Sequence, residues 1–216
     1  MKRRDFSLTA AAVVVPGLIG MSPASAQAPR PREGKDYLVL GKQAPTDAPT
    51  GKVEVVEFFW YSCPHCNAFE PTLEAWVKSL PRDVSFKRVP VAFRDDFAPQ
   101  QRLFYALEAL NKVDELHGRV FRAIHAERQS LTSDDAIIAW AEKQGLDKAK
   151  FTETFHSFSV ASKLRRATQL QDAYKVEGVP ALGIAGRYYT DGSLAGSMER
   201  ALAVTDVLLA DARKSR

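Results

Sequence analysis

The segment that most constrains the fold is the run of residues 53–61, which reads Val-Glu-Val-Val-Glu-Phe-Phe-Trp-Tyr. β-Branched and aromatic residues favour strands, and apolar residues at nearly every position are typical of a strand covered on both faces. Such a strand lies in the interior of an α/β sheet. Two cysteines follow in the order Cys63-Pro64-His65-Cys66, and a proline at this place favours the first turn of a helix. The sequence therefore predicts that both cysteines lie where a buried strand passes into a helix.

The remaining periodicity predicts an α/β fold with helices inserted into it. Apolar residues recur at helical spacing throughout residues 95–174, and again in a final amphipathic helix that begins near Met198. Short apolar runs predict further strands at 37–40, 84–93, 181–185 and around Tyr188. The order strand–helix–strand, helical block, strand–strand–helix is typical of one sheet-based fold that carries a helical insertion.

The N-terminus has the layout of a removable signal peptide. Basic residues at 2–4 are followed by an apolar run at 8–21 and by Ala-Ser-Ala at 24–26, which matches an A-x-A cleavage site. The run is shorter than the ~20 apolar residues that span a membrane. The paired arginines also resemble a twin-arginine signal in which Leu8 falls one place late, so Sec and twin-arginine export both remain open. We expect residues 1–26 to be removed on export.

Charge and cysteine content narrow the class of function. The formal net charge is +4, with basic residues scattered along the chain, which gives no reason to expect a nucleic-acid partner. The chain has only two cysteines. Exported proteins usually use well-separated cysteines as structural staples, but a disulfide that closes so short a loop restricts the unfolded chain very little. We therefore expect the pair to serve redox chemistry.

The position of Cys63 predicts an acidic thiol. A helix N-terminus presents unpaired N–H groups and about half a positive charge, and both stabilise an anion. His65, between the two cysteines, adds a hydrogen-bond donor or a further positive charge. These groups should lower the pKa of Cys63 and make it a thiolate at neutral pH. Stabilising the reduced thiolate also makes the disulfide more oxidising.

Other uses of a C-x-x-C pair fit the sequence less well. A structural zinc site needs four ligands, and the chain has neither a second cysteine pair nor histidines at the required spacing. His117, His125 and His156 are therefore predicted to be ordinary helix residues. A c-type haem site requires a histidine where this chain has Asn67. An inert structural disulfide is the third alternative. We expect no metal and no bound cofactor.

Residues 57–66, Glu-Phe-Phe-Trp-Tyr-Ser-Cys-Pro-His-Cys, resemble the active-site segment of the DsbA family, the periplasmic disulfide-forming oxidases of Gram-negative bacteria. Gly178-Val179-Pro180, ahead of a predicted strand, extends the resemblance, which covers most of residues 37–212. It implies a thioredoxin fold with an inserted all-helical domain. The expected organisation is a signal peptide at 1–26, a first thioredoxin-like part at 27–94, a helical insertion at 95–174 and a second thioredoxin-like part at 175–216.

The resemblance also implies roles for individual residues. Cys63 would be the exposed sulfur that a substrate thiolate attacks, and Cys66 the less accessible partner in the redox-active disulfide. The family's proline opposite the cysteines is cis and helps to bind the substrate backbone, and Pro180 matches it. Residues expected to border the bound substrate are Pro64, His65, Val179 and Pro180.

Glu57 is an acid inside a buried-strand pattern, where an unpaired carboxylate is costly and tends to keep its proton. By the resemblance it would handle a proton beneath the disulfide. The alternative is a carboxylate paired with a base on the next strand, and the sequence leaves open whether that base is Lys87 or Arg88.

The function implied is donation of the Cys63–Cys66 disulfide to reduced cysteines of newly exported, unfolded proteins in the periplasm. The family is reoxidised by DsbB, a quinone-linked membrane protein, so a DsbB-like partner is expected, and the protein itself should be a monomer. The alternatives are a reductase or isomerase on the same fold, or a chaperone-like peptide-binding protein. Isomerases of this compartment usually carry an added N-terminal domain, and the short stretch between residues 26 and 53 leaves no room for one.

Overall fold

The computed structural model describes residues 30–214, so the predicted signal peptide lies outside the described residues. Its centre is a five-stranded sheet in the order β1-β5-β4-β2-β3. The strands are β1 (Leu38–Val39), β2 (Val53–Phe59), β3 (Val84–Pro90), β4 (Ala181–Ile184) and β5 (Tyr188–Asp191). Every residue of β2 is buried, and the strand pairs parallel with β3 and antiparallel with β4. The predicted interior strand is confirmed.

Five helices lie between β3 and β4 in the chain, which confirms the predicted helical insertion. These five are α2 (Ala98–Ala109), α3 (Val113–His125), α4 (Asp134–Lys143), α5 (Lys148–Phe155) and α6 (Phe158–Tyr174). The other described α-helices are α1 (Pro64–Ser79), α7 (Gly192–Ala195) and α8 (Met198–Lys214). None of the helices in this described part is long and apolar enough to cross a membrane.

Some boundaries differ from the predicted ones. The strand predicted at 84–93 ends at Pro90, because its partner β2 ends opposite at Phe59 and leaves the next residues without a strand to pair with. The short helix α7 and a 3₁₀ turn at Asp95–Phe97 were not predicted. Elements of three or four residues are too short to show helical periodicity, so the sequence pattern does not reveal them.

The continuous apolar character of β2 follows from its two covered faces. Val55 packs in a cluster with Leu73 of α1 and Leu208 of α8, on one side of the sheet. Val56 and Phe58 pack in a second cluster with the helices of the insertion, on the other side. Successive strand residues point to opposite faces. Both faces are therefore apolar, and the end of β2 is held firmly where the cysteines follow.

The end of α6 packs against β4 close to the loop that contains Val179 and Pro180. The ring of Tyr174, the last residue of α6, lies so close to Gly183 of β4 that an added Cβ there would meet the ring at 2.4 Å. The Tyr174 hydroxyl also accepts a hydrogen bond of 3.0 Å from the backbone N–H of Gly186. Because only glycine allows this approach, the end of α6, where the loop to β4 begins, is held against β4.

Candidate active site

Cys63 and Cys66 occupy the predicted position at the junction of β2 and α1. Cys63 is the N-cap residue of α1, and Pro64 takes the first helical position. The backbone N–H of Cys66 donates to the Sγ of Cys63 at 3.4 Å. Both residues are free thiols. The sulfur of Cys63 thus sits where the helix presents its unpaired donors.

The expectation that Cys63 is an exposed residue is wrong. Its relative exposure is 7%, against 0% for Cys66. The carbonyl oxygen of Val179 lies 3.4 Å from the sulfur and covers it, and it accepts a hydrogen bond from Cys63 only while the thiol is protonated. Cys63 is still the more accessible of the two thiols, as expected.

The two thiols differ strongly in acidity. The pKa of Cys63 is lowered to about 6, chiefly by its hydrogen bond with Cys66 and further by the backbone N–H groups of Cys66 and His65 and the charge of His65, against an opposing effect of burial. Burial, followed by the hydrogen bond and charge of Cys63, raises the pKa of Cys66. At neutral pH Cys63 is therefore a thiolate while Cys66 keeps its proton, in line with the predicted acidic Cys63.

The Val179–Pro180 peptide bond is cis, as the resemblance implied. Pro180 is buried and Val179 half-buried, whereas Pro64 and His65 are exposed at the start of α1. The fold thus brings Val179 directly to the Cys63 sulfur, and Pro180 follows at the start of β4. Four residues predicted to border a substrate therefore lie on the two segments that meet at this sulfur.

Glu57 pairs with Arg88, which answers the question that the sequence left open. The strand register sets the two residues opposite each other on β2 and β3. The Nε of Arg88 lies 3.1 Å from Oε2 of Glu57, yet neither oxygen of Glu57 accepts an aligned hydrogen bond. Lys87 points to the other face of the sheet, where its Nζ lies 3.1 Å from Glu54 Oε2.

The environment of Glu57 favours its protonated form. The side chain has no exposed surface. Burial and, next, the negative charge of Glu70 raise the pKa of Glu57 to about 8, although Arg88 opposes the shift. The charge of Glu57 also contributes to the raised pKa of Cys66, so the two groups interact. Glu57 can therefore hold a proton beneath the cysteines at neutral pH.

A chain of buried polar groups extends from Glu57 into the helical insertion. Arg88 Nη2 donates to Glu70 Oε1, and His117 Nε2 lies 3.5 Å from the same oxygen. The other ring nitrogen of His117, Nδ1, shares a 2.8 Å hydrogen bond with the hydroxyl of Tyr61. The sequence reasoning missed Glu70, Tyr61 and His117 as parts of the site.

One signal for His117 was available in the sequence. The residue lies in a helix, as predicted, but its spacing from Val113, Val120 and Ile124 places it on the apolar face of α3. Only 4% of it is exposed. A histidine at a buried helical position needs polar partners, and here those partners belong to the active site.

Two further contacts join the insertion to the segment before Cys63. The Gln100 side chain accepts from the backbone N–H of Ser62 at 3.2 Å and donates to the Ser62 hydroxyl at 2.7 Å. The Nε2 of His125 lies 2.8 Å from the carbonyl oxygen of Tyr61. Helices α2 and α3 therefore position the backbone that leads into the cysteine turn.

Among residues 30–214 no group of three or more His, Cys, Asp or Glu side chains is placed to hold a metal ion.

Comparison with known proteins identifies this arrangement. Residues 54–202 match the model of the DSBA-like thioredoxin domain. The thiol:disulfide interchange protein DsbA of Burkholderia cepacia is 41% identical over 209 residues, covering 97% of this chain and 96% of that protein. The corresponding DsbA of Bordetella parapertussis is 45% identical over 190 residues, covering 88% and 90%.

A solved structure agrees with the sequence relatives. The crystal structure of Pseudomonas aeruginosa DsbA superposes with a TM-score of 0.80 at 38% identity, covering 84% of this chain and 94% of that one. The expected thioredoxin-like fold with a helical insertion is confirmed. The chain belongs to the DsbA family of thiol:disulfide interchange proteins, and it is a disulfide-forming oxidoreductase with the cysteine pair Cys63–Cys66.

Proposed function

We propose that Cys63 is the sulfur through which this oxidoreductase passes its disulfide to reduced, unfolded exported proteins. A substrate thiolate attacks Cys63 Sγ, a mixed disulfide forms, and the Cys63–Cys66 bond breaks with its electron pair on Cys66. A second substrate thiolate then attacks the substrate sulfur and releases Cys63 as a thiolate. The substrate loses two electrons and the protein gains them. The opposite pKa shifts of Cys63 and Cys66 carry this assignment, because the more acidic thiol is the better leaving group.

Glu57 is the proposed source of the proton that Cys66 needs. Cys66 becomes a thiolate when its bond to Cys63 breaks, but burial disfavours that anion. Glu57 keeps a proton at neutral pH and interacts electrostatically with Cys66. Replacement by glutamine should slow peptide oxidation at pH 7 by roughly a hundredfold, the lower end of the usual range for general acid catalysis. An unchanged rate in Glu57→Gln would remove this role.

Substrate backbone is proposed to bind across Val179 and Pro180 on one side and Pro64 and His65 on the other. Val179 is only half-buried, and its carbonyl oxygen lies against the sulfur that reacts. An extended peptide can therefore approach Cys63 along this loop, as in other cases where a chain pairs with exposed backbone groups. His65, exposed beside the sulfur, would contact the substrate and also stabilise the leaving thiolate.

The cellular setting follows from the family and from the N-terminal sequence. We infer that residues 1–26 direct export and that the protein works in the periplasm as a monomer, without a bound cofactor. A DsbB-like quinone-linked membrane protein would restore the disulfide. The proposed internal boundaries are 27–94 and 175–216 for the two thioredoxin-like parts and 95–174 for the helical insertion.

Trapping experiments test the assignment of Cys63. Cys66→Ser keeps Cys63 and should form a stable mixed disulfide with a peptide that carries an activated disulfide. Cys63→Ser should trap no peptide, because Cys66 is buried and its pKa is raised. The reverse pattern would assign attack to Cys66. Equilibration of the native protein with glutathione buffers distinguishes an oxidase from a reductase, since a strongly reducing pair would indicate a reductase.

A further inference from the structure

We propose that His117, held in place by its hydrogen bond with Tyr61, is a positioning residue that keeps Glu70 ionised and thereby leaves the cluster's exchangeable proton on Glu57. The proposal extends the proposed role of Glu57 as proton donor to Cys66. It rests on the chain Tyr61–His117–Glu70–Arg88–Glu57, in which each group lies within 3.5 Å of the next and all but the partly exposed Arg88 are buried. His117 would then act on the redox pair only through Glu70.

The charges of the cluster require one additional proton. Glu57 and Glu70 are both buried carboxyl groups, and within residues 30–214 Arg88 is the one guanidinium that contacts both. If both carboxyl groups were ionised, a net negative charge would remain in a region of low dielectric, which is costly. One of the two carboxyl groups therefore holds a proton at neutral pH.

The hydrogen-bond partners of Glu57 and Glu70 decide which carboxyl group holds the proton. Glu57 accepts no aligned hydrogen bond on either oxygen, whereas Glu70 accepts one from Arg88 and also faces His117. Hydrogen bonds and N–H dipoles favour the ionised form of a carboxyl group. The pKa of Glu70 is lowered, because its contacts with His117 and Arg88 outweigh the effect of burial. His117 thus makes the two carboxyl groups unequal.

The Glu70 carboxylate selects the tautomer of His117, because the Tyr61 hydroxyl can either donate to Nδ1 or accept from it. The Tyr61 hydroxyl can donate to Nδ1 only if that nitrogen is unprotonated, and a neutral imidazole then carries its proton on Nε2. The opposite tautomer would set an Nε2 lone pair against the Glu70 carboxylate at 3.5 Å. Burial lowers the pKa of His117, which keeps the ring neutral.

The groups that bear on His117 come from three neighbouring elements. Tyr61 follows the end of β2, Glu70 and Glu74 lie on α1, and Arg88 lies on β3. The remaining neighbours are aromatic rings, those of Phe59, Phe104 and Phe121. Because these rings exclude water and offer no strong acceptor, Glu70 and Tyr61 are the contacts through which His117 can act.

The test follows the two carboxyl groups directly, by NMR titration of protein labelled with ¹³C in the glutamate side chains. Glu57→Gln and Glu70→Gln identify the two signals. In His117→Leu we expect the Glu70 midpoint to rise and the Glu57 midpoint to fall, because a proton on Glu70 removes the charge that holds the proton on Glu57. His117→Gln, which can place an amide near Glu70, should restore both midpoints toward their native positions.

Controls separate this role from simple packing. His156→Leu changes an exposed histidine at the end of α5 and should leave both midpoints in place. If His117→Leu does not fold, Tyr61→Phe provides the test, because it removes the hydroxyl but keeps the ring, and it should shift both midpoints in the same directions. Unchanged midpoints in either folded variant would overturn the proposal. The titrations test His117 even if Glu57→Gln proves to oxidise peptides at the native rate.

Discussion

The Sγ of Cys63 lies 3.4 Å from the carbonyl oxygen of Val179, although 116 positions separate the two residues in the chain. Cys63 follows the central strand, and Val179 lies in the loop that joins the helical insertion to β4. The helix N-terminus that stabilises a thiolate and the loop proposed to bind a peptide thus meet at a single sulfur. This contact brings the reactive sulfur to the place where substrate would arrive.

Titration of the thiolate absorbance in the reduced protein should give a midpoint near 6 for Cys63. Cysteine in an unstructured peptide titrates at about 8.5, so the folded protein must stabilise the anion. Cys66→Ser should retain most of the thiolate signal and Cys63→Ser should lose it. A midpoint at or above about 8 in the native protein would contradict the proposed leaving-group role.

The reduced protein should be more stable than the disulfide form at neutral pH. The pKa of Cys63 is lower in the folded protein than in the unfolded chain, so the thiolate contributes stability above about pH 8.5 that is lost as the pH falls through about 6. Each pKa unit by which folding lowers the Cys63 value adds about 1.4 kcal/mol to the free energy of unfolding at high pH.

Urea unfolding of both redox forms between about pH 5 and pH 8 measures this effect. The stability advantage of the reduced form should shrink as the pH falls, and the Cys63→Ser protein should lack the trend. A disulfide form that is the more stable one at neutral pH would count against an oxidase, because disulfides otherwise stabilise by restricting the unfolded chain.

His65→Ser should raise the pKa of Cys63 and weaken the oxidising power of the disulfide while leaving thermal unfolding nearly unchanged. The histidine is exposed, and both its backbone N–H and its charge favour the Cys63 thiolate. Only the charge is lost in the variant, so we expect the pKa of Cys63 to rise by about one unit. The reduction potential of the disulfide should then fall by roughly 30 mV. Equilibration with glutathione measures it, and a native potential in the variant would assign the effect to the helix N-terminus alone.

In Glu57→Gln the free energy of unfolding should fall less with rising pH than it does in the native protein. The pKa of Glu57 is about 8 in the folded protein and near 4.3 in an unfolded chain, so the folded protein binds more protons between these values. Native stability therefore declines as the pH rises from about 4.3 to about 8. Unfolding in urea across this range should show a smaller decline for the variant, and parallel curves for the two proteins would contradict the raised pKa.

Gln100→Ala should destabilise the protein by about 1–3 kcal/mol, because it leaves the Ser62 groups without partners beside the cysteine turn. Gln129→Ala is the matched control, since that side chain bonds only to the exposed Glu127 at 2.8 Å among the contacts seen here. The control should change stability by less than about 0.5 kcal/mol. Equal unfolding midpoints for the two variants would show that the Gln100 contacts are dispensable.

The elements that follow from the sequence alone are those whose cause is local. The apolar run that became β2, the helix start at Pro64 and the place of Cys63 at its cap all follow from residues within a few positions of one another. Strand burial, helix capping and the acidity of a thiol at a helix N-terminus depend on such short-range patterns.

How distant residues meet depends on the packing of the whole fold. The register of β2 on β3 selects Arg88 over Lys87 as the partner of Glu57, because a shift of one residue would turn the other side chain to that face. The docking of α3 buries His117 against Glu70, and the α6–β4 loop covers Cys63 with Val179. These contacts join segments far apart in the chain, and it is the packing of the insertion on the sheet that brings them together.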